Sequence, residues 1–208
     1  MIDSDSSGDY RYPVSQITDQ DDAASGITPS QTVGPYVHIG LLNEGSETLV
    51  TGDDPEAIEL SITVVDGAGK YIKDAMVELW QARADGTFNA PNDPRTAAAA
   101  TEQGFRGLGR GFCDDNGRVT FRTVVPGALP GQAPHINVGI FARGMLERLI
   151  TRVYFPQHAG WHAADPVLTS VDKPRRSLLV AEETDAGYAW TVHVQHPDAG
   201  LETPFFHL

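Results

Sequence analysis

From residue 57 onward the apolar side chains recur at every second position, and that period decides which folds the chain can reach. In "AIELSITVV", Ile58, Leu60, Ile62 and Val64 share a face, and "DGAGK" then turns the chain. Neighbours at i and i+2 point the same way only in extended backbone, so this is a strand followed by a turn. "AMVELWQA" (75–82) sets Val77 and Leu79 against Met76, Glu78 and Trp80, and "RVTFRTVV" (118–125) sets Val119, Phe121, Thr123 and Val125 against more polar neighbours. "HINVGIFA" (135–142) places Ile136, Val138 and Ile140 on one side and His135, Asn137, Gly139 and Phe141 on the other. "RLITRVYFP" (148–156), "RSLLVAEE" (176–183) and "YAWTVHVQ" (188–195) complete the set. About seven strands separated by Gly, Asp and Pro turns predict an all-β fold, a single β-sandwich domain over 57–208. Helix is expected only in short pieces, within "DPRTAAAATEQ" (93–103) and "HAGWHAADP" (158–166).

Two segments precede the sandwich. Residues 1–27 are acidic and polar, with too little apolar surface to offset the entropy of ordering, and read as a flexible leader. Residues 28–56 form an arm and linker: Pro29 and Pro35 stiffen "TPSQTVGPYVHIGLL", and its Tyr36, Val37, Ile39, Leu41 and Leu42 are suited to packing on another surface. The chain carries 15 Lys+Arg against 28 Asp+Glu, a formal charge of -13. Such a field repels phosphate backbones and anionic membrane surfaces, so no nucleic acid or membrane partner is expected, and an acidic substrate would need a local cation. A single cysteine, Cys113, excludes an internal disulfide and fits a reducing compartment. The start lacks a basic region followed by an apolar run, and no stretch approaches the roughly 18 apolar residues of a membrane span, so a cytoplasmic protein is expected.

Few side chains suggest chemistry on their own. His135 and Asn137 are i, i+2 neighbours on a strand; two histidines there would clamp a metal, but an amide oxygen is a weak donor, and a hydrogen-bonded polar pair is the competing reading. His158 and His162 have helical ligand spacing, yet "HAGWH" supplies no acid and Gly160 weakens a helix, so surface or capping roles compete with ligation. His38, His193, His196 and His207 are scattered and read as structural. "GFRGLGRG" (104–111) lacks the strand before and helix after that a phosphate loop requires and reads as an irregular loop whose Arg106 and Arg110 are cations in an acidic protein. No Gly-x-Ser-x-Gly elbow is present. Arg143 ends a strand, where it could grip a carboxylate through two parallel hydrogen bonds or pair on the surface with Glu147.

"TPSQTVGPYVHIGL", "VELWQARADGTF", "FRTVVPGALPGQAPHINVGIFARG" and "LITRVYFP", in this order, resemble the intradiol ring-cleaving dioxygenases, from about residue 28 to the end. In that family, catalytic chains hold non-haem ferric iron with two tyrosines and two histidines, hard Fe(III) favouring phenolate oxygen beside imidazole. At the positions that match, this chain has Phe88, Leu129 (in the turn Pro126, Gly127, Ala128, Leu129, Pro130), His135 and Asn137. The resemblance therefore implies a chain with no metal and no catalytic residue of its own, an alpha-type subunit whose iron-bearing beta partner holds the Fe(III). It implies that Thr32, Gly34, Pro35 and Arg143 contribute to the substrate pocket, and that the hetero-oligomer cleaves protocatechuate with O2 to 3-carboxy-cis,cis-muconate. Two alternatives remain beside it: a non-enzymatic structural partner of the beta subunit, and a self-sufficient homo-oligomer with an unusual site at His158 and His162.

Overall fold

The computed structural model describes residues 31–41, 43–88 and 104–206. The leader and the helix expected within 93–103 lie outside these residues. The elements are a short helix α1 (Tyr36–Leu41), strands β1 (Ala57–Val65), β2 (Met76–Trp80), β3 (Leu108–Phe112), β4 (Arg118–Val124), β5 (His135–Phe141) and β6 (Leu149–Tyr154), helices α2 (Ala159–His162) and α3 (Pro166–Ser170), a 3-10 helix (Lys173–Leu179), and strands β7 (Glu182–Thr184) and β8 (Gly187–His193).

They form two four-stranded sheets, β4-β1-β8-β7 and β3-β2-β5-β6. All pairs are antiparallel except β1 with β8. The alternation read from the sequence is the alternation that fills the space between them. Leu60, Ile62 and Val64 of β1, Val119 and Phe121 of β4, Val77 and Leu79 of β2, Ile136, Val138 and Ile140 of β5, and Val192 of β8 belong to one buried cluster. Burial of each such side chain contributes roughly 1.5–3 kcal/mol, and a register slip of one residue would expose a whole row at once.

Three expectations are corrected. Residues 104–111 are not an irregular loop, because 108–112 form β3 against β2. Its inward positions are glycines: a Cβ on Gly109 would overlap Leu49, and one on Gly111 would stand 2.5 Å from Val119. The core there is filled by neighbours, so this strand carries no apolar alternation. Residues 176–183 are not one strand, since the 3-10 helix runs through Leu179, Val180 makes an isolated bridge to Tyr154, and the strand itself is Glu182–Thr184. Side-chain donors hold this bend: Arg176 Nε and Nη2 donate to the carbonyls of Val171 and Thr169 (both 2.8 Å), and Trp190 Nε1 donates to Leu178 O (2.8 Å). Residues 43–56 have linker composition but are anchored, with Leu49 and Val50 buried and Leu49 bonded through its N–H to Arg122 O (2.8 Å) and through its carbonyl to Arg106 N (2.7 Å).

The segment expected to be helical near 158–166 is helical on both sides of a three-residue break that ends at Asp165. Asp165, fully buried, caps α3 by accepting from Val167 N and Leu168 N (2.9 Å each), accepts from Ala133 N (2.9 Å) just before β5, and accepts from the Tyr154 hydroxyl (3.2 Å) at the end of β6. One carboxylate thus fastens the helical cover to the entry of β5 and the end of β6. Asp165→Ala should lower the unfolding free energy by about 3 kcal/mol or more, the sum of a lost cap and orphaned buried donors. Urea denaturation reads this; a loss under about 1 kcal/mol would mean the donors find other partners.

Candidate functional site

β5 carries the residues of interest on the face turned away from the core cluster. In register across the second sheet, Asn137 stands between Trp80 of β2 and Arg152 of β6, and His135 faces Tyr154. The turns bearing Phe88 and Leu129 meet beside them: Gly127 N donates to Arg83 O (2.8 Å), and a Cβ on Gly127 would lie 2.5 Å from Gly86 N, so only glycine permits this contact. Phe88 stacks on Trp80 with ring centroids 5.7 Å apart, and Leu129 closes a tight turn through its carbonyl to Gln132 N (3.0 Å). The positions that resemble the family's ligand set are therefore neighbours in space.

They do not suit a ferric ion. Phe88 and Leu129 offer no oxygen. The buried His135 has its Nδ1 2.8 Å from the carbonyl of Ala133, which makes that nitrogen the donor, and burial with the Arg152 charge beside it drops the imidazole to about 4, so it is neutral at pH 7. Asn137 Oδ1 accepts from Arg152 Nε (3.0 Å), whose Nη1 donates to Gln132 Oε1 (2.8 Å). A nearly buried guanidinium thus already holds the one amide oxygen among these positions. Among the described residues no group of three or more His, Cys, Asp or Glu side chains is placed to hold a metal. His162 instead packs edge-on against Tyr154 (centroids 5.7 Å), and burial lowers its affinity for a proton. Burial also pushes the Tyr154 hydroxyl well above its ordinary value and the Cys113 thiol up to about 12, so neither is a ready nucleophile.

The other set of expected residues gathers at the opposite end of β5. A cleft of about 440 Å³ is lined by Gly34, Pro35, Ile39, Phe112, Phe141 and Arg143 among others. Thr32 sews the arm to it, its hydroxyl accepting from Gly144 N (2.9 Å), and Gly34 takes φ +64° in the turn before α1. The Arg143 side chain is 85% exposed and paired with Asp74 (3.0 Å), a contact that solvent leaves weak and exchangeable. On the same outer face, Arg110 is held by Glu78 (2.7 Å), which also takes Arg148 (3.3 Å). From His135 to Phe141 is six steps of extended chain, roughly 20 Å, and Arg143 sits in the turn just beyond. Arg152, Gln132 and Asp165 escape a reading by motif, since none sits in a recognisable local pattern; an arginine amid the apolar residues of "LITRVYF" is the one visible signal.

A family model described as Dioxygenase matches residues 32–196. The protocatechuate 3,4-dioxygenase alpha chain of Burkholderia cepacia is 40% identical over 195 residues, spanning 86% of this chain and 96% of its own. The protocatechuate 3,4-dioxygenase beta chain of Burkholderia cepacia is 29% identical over 188 residues, spanning 81% and 74%. An intradiol ring-cleavage dioxygenase from Tetranychus urticae superposes with TM-score 0.53 at 20% identity, over 82% of this chain and 94% of that one, and shows the same fold. This chain belongs to the intradiol ring-cleaving dioxygenase family. Within it, the relatives near 40% identity are alpha chains of protocatechuate 3,4-dioxygenase.

The His135 imidazole makes stability depend on pH. An unfolded chain takes up this proton near 6.5, whereas the folded chain refuses it until about 4, so protonation favours unfolding and stability falls as pH drops from 6.5 to 4. The loss from this group approaches about 3 kcal/mol at the lower end. Denaturant titrations across that interval should show it, and the fall should shrink by a comparable amount in His135→Gln.

Proposed function

We propose that this chain is the alpha subunit of a protocatechuate 3,4-dioxygenase and works in a hetero-oligomer with an iron-bearing beta subunit. In this reading the complex cleaves protocatechuate with O2 to 3-carboxy-cis,cis-muconate, the Fe(III) is held by the beta subunit, and residues 57–208 are the sandwich domain behind the arm 28–56. The chain is assigned to the cytoplasm; among the described residues no helix is long and apolar enough to cross a membrane.

One observation carries the division of labour. The cleft lies at the far end of β5, roughly 20 Å along the strand from His135, and at the chain's own degenerate ligand positions the Asn137 oxygen is taken by a guanidinium. Side chains at that distance cannot serve a reaction at His135, so Thr32, Gly34, Pro35 and Arg143 act on a centre outside this chain. Gly34 permits close backbone approach, Pro35 fixes the direction in which the arm leaves the turn, and Thr32 holds the arm against Gly144. Arg143 supplies the local cation that the -13 charge of the chain makes necessary for an anionic substrate. Tyr36 and Ile39, 79% and 72% exposed on α1, give the same arm an apolar surface for the beta subunit to cover.

The test is kinetic. Loss of a charge-assisted hydrogen bond of about 1.5–3 kcal/mol corresponds to roughly 10–100-fold. Arg143→Ala, co-purified with the beta subunit, should lower kcat/KM for protocatechuate by about that factor while iron content stays at the wild-type level. Wild-type kinetics in that variant would remove Arg143 from the pocket. Stoichiometric iron and oxygen uptake in this chain purified alone would remove the reading as a whole.

A further inference from the structure

The degenerate clamp contains a cation already. Arg152 is 7% exposed, lies in register with Asn137 on the neighbouring strand, and donates to two neutral amide oxygens, Asn137 Oδ1 and Gln132 Oε1. Its acceptors belong to two separate pieces of backbone: the body of β5, and the turn that follows Leu129. A bound metal ion joins separate pieces of chain in the same manner, by drawing oxygen and nitrogen donors toward one positive charge. His135 completes the surround as a neutral imidazole whose Nδ1 is committed to Ala133, and Tyr154, itself buried, covers that end of the site. Asp165, a buried carboxylate bonded to Tyr154, spends its oxygens on backbone N–H groups and that hydroxyl.

We propose that Arg152 is the resident cation of this site: its guanidinium takes over the structural task of a metal ion between β5, β6 and the 129–132 turn, and its fixed charge bars a metal ion even where ligands are restored. The inference rests on the reading that residues 88, 129, 135 and 137 stand at the family's ligand positions. It adds a second barrier to the first. Absent ligands make metal binding weak, and a buried charge that cannot deprotonate makes it repulsive, because a guanidinium keeps its proton at any pH the fold survives.

The experiment uses the full chain, with Zn2+ as the probe and bound metal measured by equilibrium dialysis at neutral pH. Asn137→His rebuilds the pair of strand imidazoles beside Arg152 and should bind no more Zn2+ than wild type. Asn137→His with Arg152→Gln, which removes the charge and keeps a polar side chain, should bind at least about tenfold more tightly. Asn137→His with Arg152→Lys should remain as weak as Asn137→His alone. Equal affinity of Asn137→His with and without the Arg152→Gln change, whether both bind or neither does, overturns the proposal. Should the Arg152→Gln chain fail to fold by circular dichroism, Asn137→Asp decides, since it leaves Arg152 in place. A resident cation receives that carboxylate and keeps the thermal midpoint at or above wild type, whereas a midpoint as low as that of Asn137→Leu overturns the proposal. Iron content of the wild-type chain is measured in parallel. Iron there would defeat the reading of this chain as iron-free, and the Zn2+ comparison would still report on the charge.

Discussion

Burial of alternate side chains of β2 and β5 between the two sheets is the constraint from which the rest follows. Val77, Leu79, Ile136, Val138 and Ile140 must face inward together, and strand geometry then commits Met76, Glu78, Trp80, His135, Asn137 and Phe141 to the other face. The register leaves no freedom: Trp80 meets Asn137, Glu78 meets Gly139, and Met76 meets Phe141. Whatever chemistry the outer face carries has been positioned by apolar side chains that never touch it. A face positioned in this way tolerates changes of its own side chains without loss of the scaffold.

That outer face is unusually charged for a covered surface, and the charges are balanced differently at each level. At the middle, Glu78 is almost wholly buried and answered by Arg110 and Arg148, while Gly139 keeps the space beside it open: a Cβ there would come within 2.8 Å of Arg148 Nε. At the His135 end the cation is Arg152 and its acceptors are amides, and His135 is held neutral first by burial and then by that charge. At the cleft end, Arg143 is in solvent with Asp74, where a pair of charges contributes little to stability and remains free to exchange partners. Three arginine environments thus occur along one sheet and the turn beyond it, and they differ chiefly in how far solvent reaches them.

Much of the fold was legible because period two is a local signal. β1, β2, β4, β5, β6 and β8 each announce themselves by alternation. β3 does not, because its inward positions are glycines whose space is filled by Leu49 and Val119 from elsewhere, and a strand without side chains on its buried face has no hydrophobic signature. The bend through Lys173–Leu179 depends on donors from Arg176 and Trp190 to distant carbonyls, and such long-range bonds override the local preference of "RSLLV" for extended chain. The site divides the same way. His135, Asn137 and the cleft residues could be placed by resemblance in motif. Arg152, Gln132 and Asp165 could not, since their roles exist only once β5, β6 and the helical cover are assembled.

In the proposed division of labour, the two ends of β5 give a chain whose described residues hold no metal-ligand cluster a part in an oxygenase complex. A strand is a rigid spacer, so the roughly 20 Å between His135 and Phe141, with Arg143 in the turn just beyond, is set by the same hydrogen-bonded ladder that pairs β5 with β2 and β6. Closing the His135 end with a guanidinium and the Asp165-fastened cover stiffens that ladder from one side. The arm, pinned at Thr32 and turned at Gly34, is built on the other. A side chain intended for a neighbouring subunit's substrate needs a platform that does not shift by an ångström, and misplacement on that scale costs about a hundredfold in rate. Replacing a metal ion, which can dissociate, by an arginine, which cannot, gives the platform a permanence that a subunit devoted to positioning can use.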